Sequence, residues 1–120
     1  MITLASLQNE IEQLIGTKRT EAALLVPKML EVSAKLNDVK QHAQSLNLAV
    51  RANEQFGNYN PQGLYYLEQL IALCDKHHLI SALITAYNLK ITHLLSIDLN
   101  EAEFCSDKVM QILEQPENKT

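Results

Sequence analysis

The residues whose types and spacing could do chemistry are Cys74, His77, His78 and His93, with Cys105 further along the chain. Cys74 and His77 are three residues apart, which puts two metal-ligating side chains on adjacent turns at a helix end. A closed zinc site takes four ligands in a tetrahedral array. The other two would have to come from the following helix, and the spacing recurs nowhere else. These residues therefore read as a polar helix turn with solvated His77 and His78, and a partly buried His93 in the next helix. Cys105 and a histidine could be paired as nucleophile and base, but no local motif supports the pairing. The three glycines stand alone at turns or a helix start, so no loop can cradle a phosphate. The carboxylates are spread over solvent faces. The expectation is a non-catalytic chain with no cofactor and no metal.

Composition narrows the class further. Cys74 and Cys105 both fall on apolar helix stripes, as small buried hydrophobes do in a reduced intracellular protein. The net charge is −4 and the ten Lys and Arg residues are scattered. A nucleic-acid partner would call for a clustered cationic face. No stretch approaches the roughly 18 apolar residues of a membrane span. The N-terminus lacks the basic start of a signal peptide and meets Glu10 and Glu12 early. A cytoplasmic location is expected, without nucleic acid or membrane. The 120 residues fit one domain, and three Gly, three Pro, no Trp and 5% aromatic residues favour helices over a β-sandwich.

Hydrophobic periodicity places six helices. The first covers about residues 3 to 15 through Leu4, Leu7, Ile11, Leu14 and Ile15. Gly16 is expected to end it, with Thr17 or Thr20 capping the next. The second runs from Thr20 to Lys35 on Ala22, Leu25, Val26, Met29, Leu30 and Val32. Pro27 inside it predicts a kink or a later start. The third opens with Asn37 as its cap and continues through Val39, Ala43, Leu46, Ala49 and Val50 to Phe56, where Gly57-Asn58 stops it. Asn60-Pro61 starts the fourth with a capping side chain and a proline at the first helical position, and Leu64, Leu67, Leu70, Ile71 and Cys74 form its stripe. The fifth follows His77-His78, with Leu79, Leu83, Ala86, Leu89, His93 and Leu94 on one face. Asp98 caps the sixth, with Glu101 placed to complete a capping box. Ala102, Cys105, Val109, Ile112 and Leu113 make its stripe. Pro116 ends it before a frayed tail, residues 116–120.

The helix breaks at Gly16, Gly57 and Ile97 lie 41 and 40 residues apart. A small residue follows each: Ala22, Gly63 and Ala102. A period of this size marks a solenoid of helical hairpins, each stacking on the next to bury its apolar face. The third copy, AYNLKITHLLSIDLNEAEFCSDKVMQI, resembles a tetratricopeptide repeat. Tyr87-Asn88-Leu89, then Asp98, Leu99 and Ala102, then Lys108-Val109-Met110 follow the family pattern. Ile97 replaces the turn glycine, and Ser106 stands where an aromatic is common. The second copy matches through Phe56-Gly57-Asn58-Tyr59, and the first through Gly16 and Ala22-Ala23. The period is longer than the family's usual thirty-four residues and is similar to the long-helix variants found in regulatory and signalling proteins.

The resemblance implies an all-α, right-handed α-solenoid of three antiparallel hairpins, about 1–36, 37–77 and 78–115, forming a single domain over 1–115. It also implies a groove for a protein or peptide segment, lined by the first helix of each hairpin. Carried over by register, the groove positions are Ile84, Tyr87, Asn88 and Ile91. Forty residues earlier they are Gln44, Asn47, Leu48 and Arg51, and in the first copy Thr3, Ser6 and Glu10. Asn side chains offer donors and acceptors to a peptide backbone, and Arg51 can fork onto a carboxylate. With one Arg and no Lys, the set does not read as a clamp for a peptide C-terminus.

A second surface lies on the last hairpin. Leu99, Phe104, Met110 and Leu113 cannot all share one stripe, and solenoids need a cap at their ends. An assembly face at Leu99, Phe104 and Met110, packing on another protomer or domain, is the alternative expectation: a self-associating α domain that dimerises through its C-terminal hairpin. A third reading, a small ligand held between helices, has no residue pattern behind it.

Overall fold

The computed structural model describes residues 3–55, 58–95 and 97–115. Among them are six α-helices: α1 (Leu4–Thr17), α2 (Arg19–Lys35), α3 (Val39–Ala52), α4 (Pro61–Lys76), α5 (Ile80–Leu94) and α6 (Leu99–Glu114). A two-stranded antiparallel ribbon, β1 (Glu54–Gln55) and β2 (Asn58–Tyr59), lies between α3 and α4, with Glu54 paired to Tyr59. Among the described residues, the regular structure is thus all helical apart from this ribbon. It divides into two compact units, Met1–Leu70 and Ile71–Thr120.

In the first unit, α1 packs on α2, and α3 packs on both. The apolar stripes expected from the sequence meet here: Leu4, Leu7 and Ile11 from α1, Ala22, Val26 and Met29 from α2, and Ala43, Leu46, Ala49 and Val50 from α3 are all buried. Each fully buried side chain of the size of Ile11, Met29 or Leu46 contributes roughly 1.5–3 kcal/mol of transfer free energy.

Polar partners fix how these helices meet. Gln8, buried on α1, donates from Nε2 to Ser45 Oγ at 3.1 Å and to Gln41 Oε1 at 3.3 Å on α3. Ser33 on α2 donates its hydroxyl proton to the Leu30 carbonyl at 3.1 Å, and His42 Nδ1 of α3 lies 3.1 Å from the same oxygen. A buried polar atom left without a partner costs about 1–3 kcal/mol, so these pairs hold the helices to one register.

Helix ends follow the expected chemistry in part. Asn60 accepts from the Gly63 amide at 2.7 Å with Pro61 opening α4, and Asp98 accepts from the Glu101 amide at 3.1 Å. Glu101 does not close a capping box: its carboxylate lies 3.8 Å from Lys90 Nζ of α5. Gly16 does not end α1. The helix runs through it, and Lys18 alone serves as C-cap of α1 and N-cap of α2, so neither Thr17 nor Thr20 caps. A glycine inside a helix costs only about 1 kcal/mol relative to alanine, which packing readily offsets. Pro27 delays nothing either; α2 starts at Arg19 and carries Pro27 on its exposed side. Asn37 is not the cap of α3. It takes φ 54° in the turn, a conformation Asn tolerates, and Asp38 caps by accepting from Gln41 N at 3.2 Å. Helix α3 stops at Ala52, short of the expected run to Phe56. Phe56, Gly57 and the 116–120 tail lie outside the described residues.

The small residues expected after each break are packed tightly. Ala22 and Ala102 are buried, and a Cβ at Gly63 would lie 2.9 Å from Asn53 Cβ and 3.2 Å from Tyr59 Cβ. The second helices start at Arg19, Pro61 and Leu99, spacings of 42 and 38, so the period is less regular than the breaks suggest; the ribbon occupies the extra length.

In the second unit α5 packs on α6. Leu83, Ala86 and His93 of α5 and Ala102, Cys105 and Val109 of α6 are buried. Leu113, expected in the α6 stripe, is exposed instead.

Candidate functional site

On α3, Gln44, Asn47 and Arg51 share one flank, separate from the face carrying Leu46 and Ala49; successive positions three and four apart fall on one side of a helix. Gln44 is exposed, and Asn47 and Arg51 are half-buried. Leu48 is not available to a ligand, being 2% exposed. Arg51 already has a carboxylate: its Nη2 donates to Glu12 Oε1 of α1 at 3.0 Å. A partner's carboxylate would have to compete with Glu12, although an ion pair this exposed is worth only about 0–1 kcal/mol. Thr3 and Ser6 form a reciprocal cap at the start of α1, Ser6 N to Thr3 Oγ1 and Thr3 N to Ser6 Oγ both at 3.1 Å. Glu10 is exposed on the same helix.

In the second unit, Ile84, Tyr87, Asn88 and Ile91 fall within about 100° of the α5 surface. Asn88 is exposed and the other three half-buried, so this flank presents mixed apolar and amide character.

The three assembly residues are exposed, Leu99 at 63%, Phe104 at 54% and Met110 at 53%. They do not form one face. Leu99 and Met110 share a side of α6, whereas Phe104 lies about 140° around the helix from Leu99. There Lys108 Nζ sits 5.4 Å from the Phe104 ring centroid, a cation–π contact.

The residues that first suggested chemistry are dispersed in role. His77 and His78 are exposed in the turn between α4 and α5, where His78 takes φ 55°. Cys74, Cys105 and His93 are buried on helices, and burial pushes the Cys74 thiol above its ordinary range. Among the described residues, no three His, Cys, Asp or Glu side chains come together as a metal site would require. No described helix is long and apolar enough to cross a membrane.

One feature escaped the sequence reading. A cleft of ≈ 560 Å³ in the first unit is lined by Arg19, Thr20 and Ala23 of α2, Ala52 and Asn53 at the end of α3, Glu54 and Tyr59 of the ribbon, and Asn60. Two of its amides are committed: Asn53 Nδ2 donates to the Ala49 carbonyl at 2.8 Å, and Asn60 Nδ2 donates to Asn53 Oδ1 at 3.0 Å. They make a wall, not a binding group. Burial and the nearby Glu54 charge raise the Tyr59 hydroxyl above its ordinary 10.0. The ribbon that closes this cleft had no signal in hydrophobic periodicity, because each strand is two residues long.

The chain matches no family model, no curated protein and no solved structure.

Proposed function

We propose that the chain is a non-catalytic protein-interaction module, a right-handed solenoid of tetratricopeptide-like hairpins that binds a peptide or protein segment. Its contacts are the open flank of α3, Gln44, Asn47 and Arg51, and the flank of α5, Ile84, Tyr87, Asn88 and Ile91. The observation that carries this reading is the packing of α3 on both α1 and α2, with Gln44 exposed and Asn47 half-buried beside it. That is how a repeat stacks on the hairpin before it while leaving one flank free for a partner. Backbone hydrogen bonds from the amides and a few side-chain anchors supply the recognition.

The test is selection of peptides from a display library against the whole chain. Selected peptides are expected to lose at least about tenfold in affinity to the Asn47→Ala, Tyr87→Ala double variant, about the cost of one good anchor, with an unchanged circular dichroism spectrum. Peptides that bind the double variant as tightly as the parent would overturn the groove.

A second reading, self-association through the C-terminal hairpin, is favoured by one observation. Among the described residues, six of the nine exposed large apolar side chains fall between Leu95 and Leu113. Light scattering decides it: a concentration-dependent dimer abolished by Phe104→Asp supports this reading, and a monomer throughout removes it.

A further inference from the structure

The geometry points to a docking face on α6 for a basic amphipathic helix of a partner protein, an inference that rests on reading the chain as an interaction module. At about 100° per residue, Leu99, Ser106, Met110 and Leu113 fall within about 60° of one another on α6. Leu99 is 63%, Met110 53% and Leu113 44% exposed. To one side of this stripe lie Ala102, Cys105 and Val109, buried in the core of the unit. To the other side lie Glu103, Asp107 and Glu114, all exposed and none in an ion pair among the described residues. The stripe runs for about 21 Å, four turns of helix, and the acidic edge accompanies it for about 15 Å, its last three turns.

An apolar row edged on one side by carboxylates is complementary to a helix with apolar residues at three- and four-residue spacing and Lys or Arg beside them. The same charges argue against other occupants. A second copy of this chain would bring another acidic edge. The only lysine of α6, Lys108, lies about 160° around the helix from Met110 and sits over Phe104, so it offers no countercharge. An anionic lipid surface would likewise be repelled. The apolar row supplies the buried contact, and the carboxylates choose the sign of the partner.

The probe is a fluorescent 18-residue Leu/Lys amphipathic helix, titrated with the whole chain by anisotropy. A scrambled peptide of the same composition and a Leu/Glu counterpart serve as controls. The Leu/Lys helix is expected to bind and the controls to bind at least about tenfold more weakly; each tenfold is a factor readily resolved in such a titration. Met110→Ser with Leu113→Ser, and separately Glu103→Gln with Asp107→Asn and Glu114→Gln, should each weaken binding by roughly tenfold or more. Only the carboxylate contribution should fall with added salt. All these positions are exposed, and circular dichroism checks that the variants fold.

Equal binding of the scrambled or Leu/Glu peptide overturns the inference, as does failure of the Leu/Lys helix to bind or indifference to either variant set. A dimer in sedimentation that Met110→Ser abolishes assigns the face to a second copy and also overturns it. Asn47→Ala with Tyr87→Ala should leave Leu/Lys binding unchanged. If that pair removes it, the peptide sits on the α3 and α5 flanks, and the α6 face fails while the interaction module stands.

Discussion

The two units of the chain solve the same problem, packing helices on one another, with different surfaces left over. In the first, cross-helix polar pairs set the register: Gln8 with Gln41 and Ser45, Ser33 with His42, Arg51 with Glu12, and Asn60 with Asn53. Among its described residues, the exposed large apolar side chains, Leu24, Leu36 and Tyr65, are scattered. In the second unit, small side chains such as Ala86, Ala102 and Cys105 bring α5 and α6 together. Its exposed large apolar side chains are gathered in one stretch, from Leu95 to Leu113. Isolated apolar residues on a surface are ordinary, whereas a concentration of them marks a place where something else packs. The contrast separates a unit whose exposed apolar side chains are dispersed from one that concentrates them at its C-terminal end.

The largest effect that tests this contrast comes from the core of the first unit. Leu46 is fully buried, so Leu46→Ala should cost about 2–5 kcal/mol in urea unfolding followed by circular dichroism. Leu99→Ser in the second unit should stay within about 0.5 kcal/mol, because that side chain stands in water. If the two substitutions cost alike, the division into finished and unfinished surfaces is wrong.

A smaller effect is expected at Gly63, where a methyl group would press on the Cβ atoms of Asn53 and Tyr59. Gly63→Ala should destabilise the chain by about 1–3 kcal/mol, as overpacking does. Gly16 gives the opposite sign. It lies inside α1 with open space where a side chain would stand. Gly16→Ala should therefore stabilise by about 0.5–1 kcal/mol. A loss of stability there would instead support a left-handed helix end at that residue.

The two glycines also show what the sequence could convey. Six helices were legible because apolar spacing reports a buried face directly. The starts of α4 and α6 were legible because capping is local: Asn60, Pro61 and Asp98 act within three residues of themselves. Gly16 was misread because a glycine permits a helix end without requiring one, and Lys18 makes the turn. Asn37 and Asp38 are both good caps, and only the backbone decides between them. The polar partners of the first unit were invisible because a periodicity argument treats Gln8 and Ser45 as surface. Their burial depends on finding each other across 37 residues of chain. The candidate groove positions were placed by register alone, which predicts a flank but not that Glu12 already occupies Arg51 or that Leu48 is buried.

The contact between Ser33 and His42 carries one more implication. A hydroxyl has a single proton, and that of Ser33 goes to the Leu30 carbonyl. The imidazole is then the donor to Ser33 Oγ, in the tautomer that carries its hydrogen on Nδ1. The tie between α2 and α3 is thus a relay of two hydrogen bonds, imidazole to hydroxyl to carbonyl, by which one side chain joins α3 to the backbone of α2.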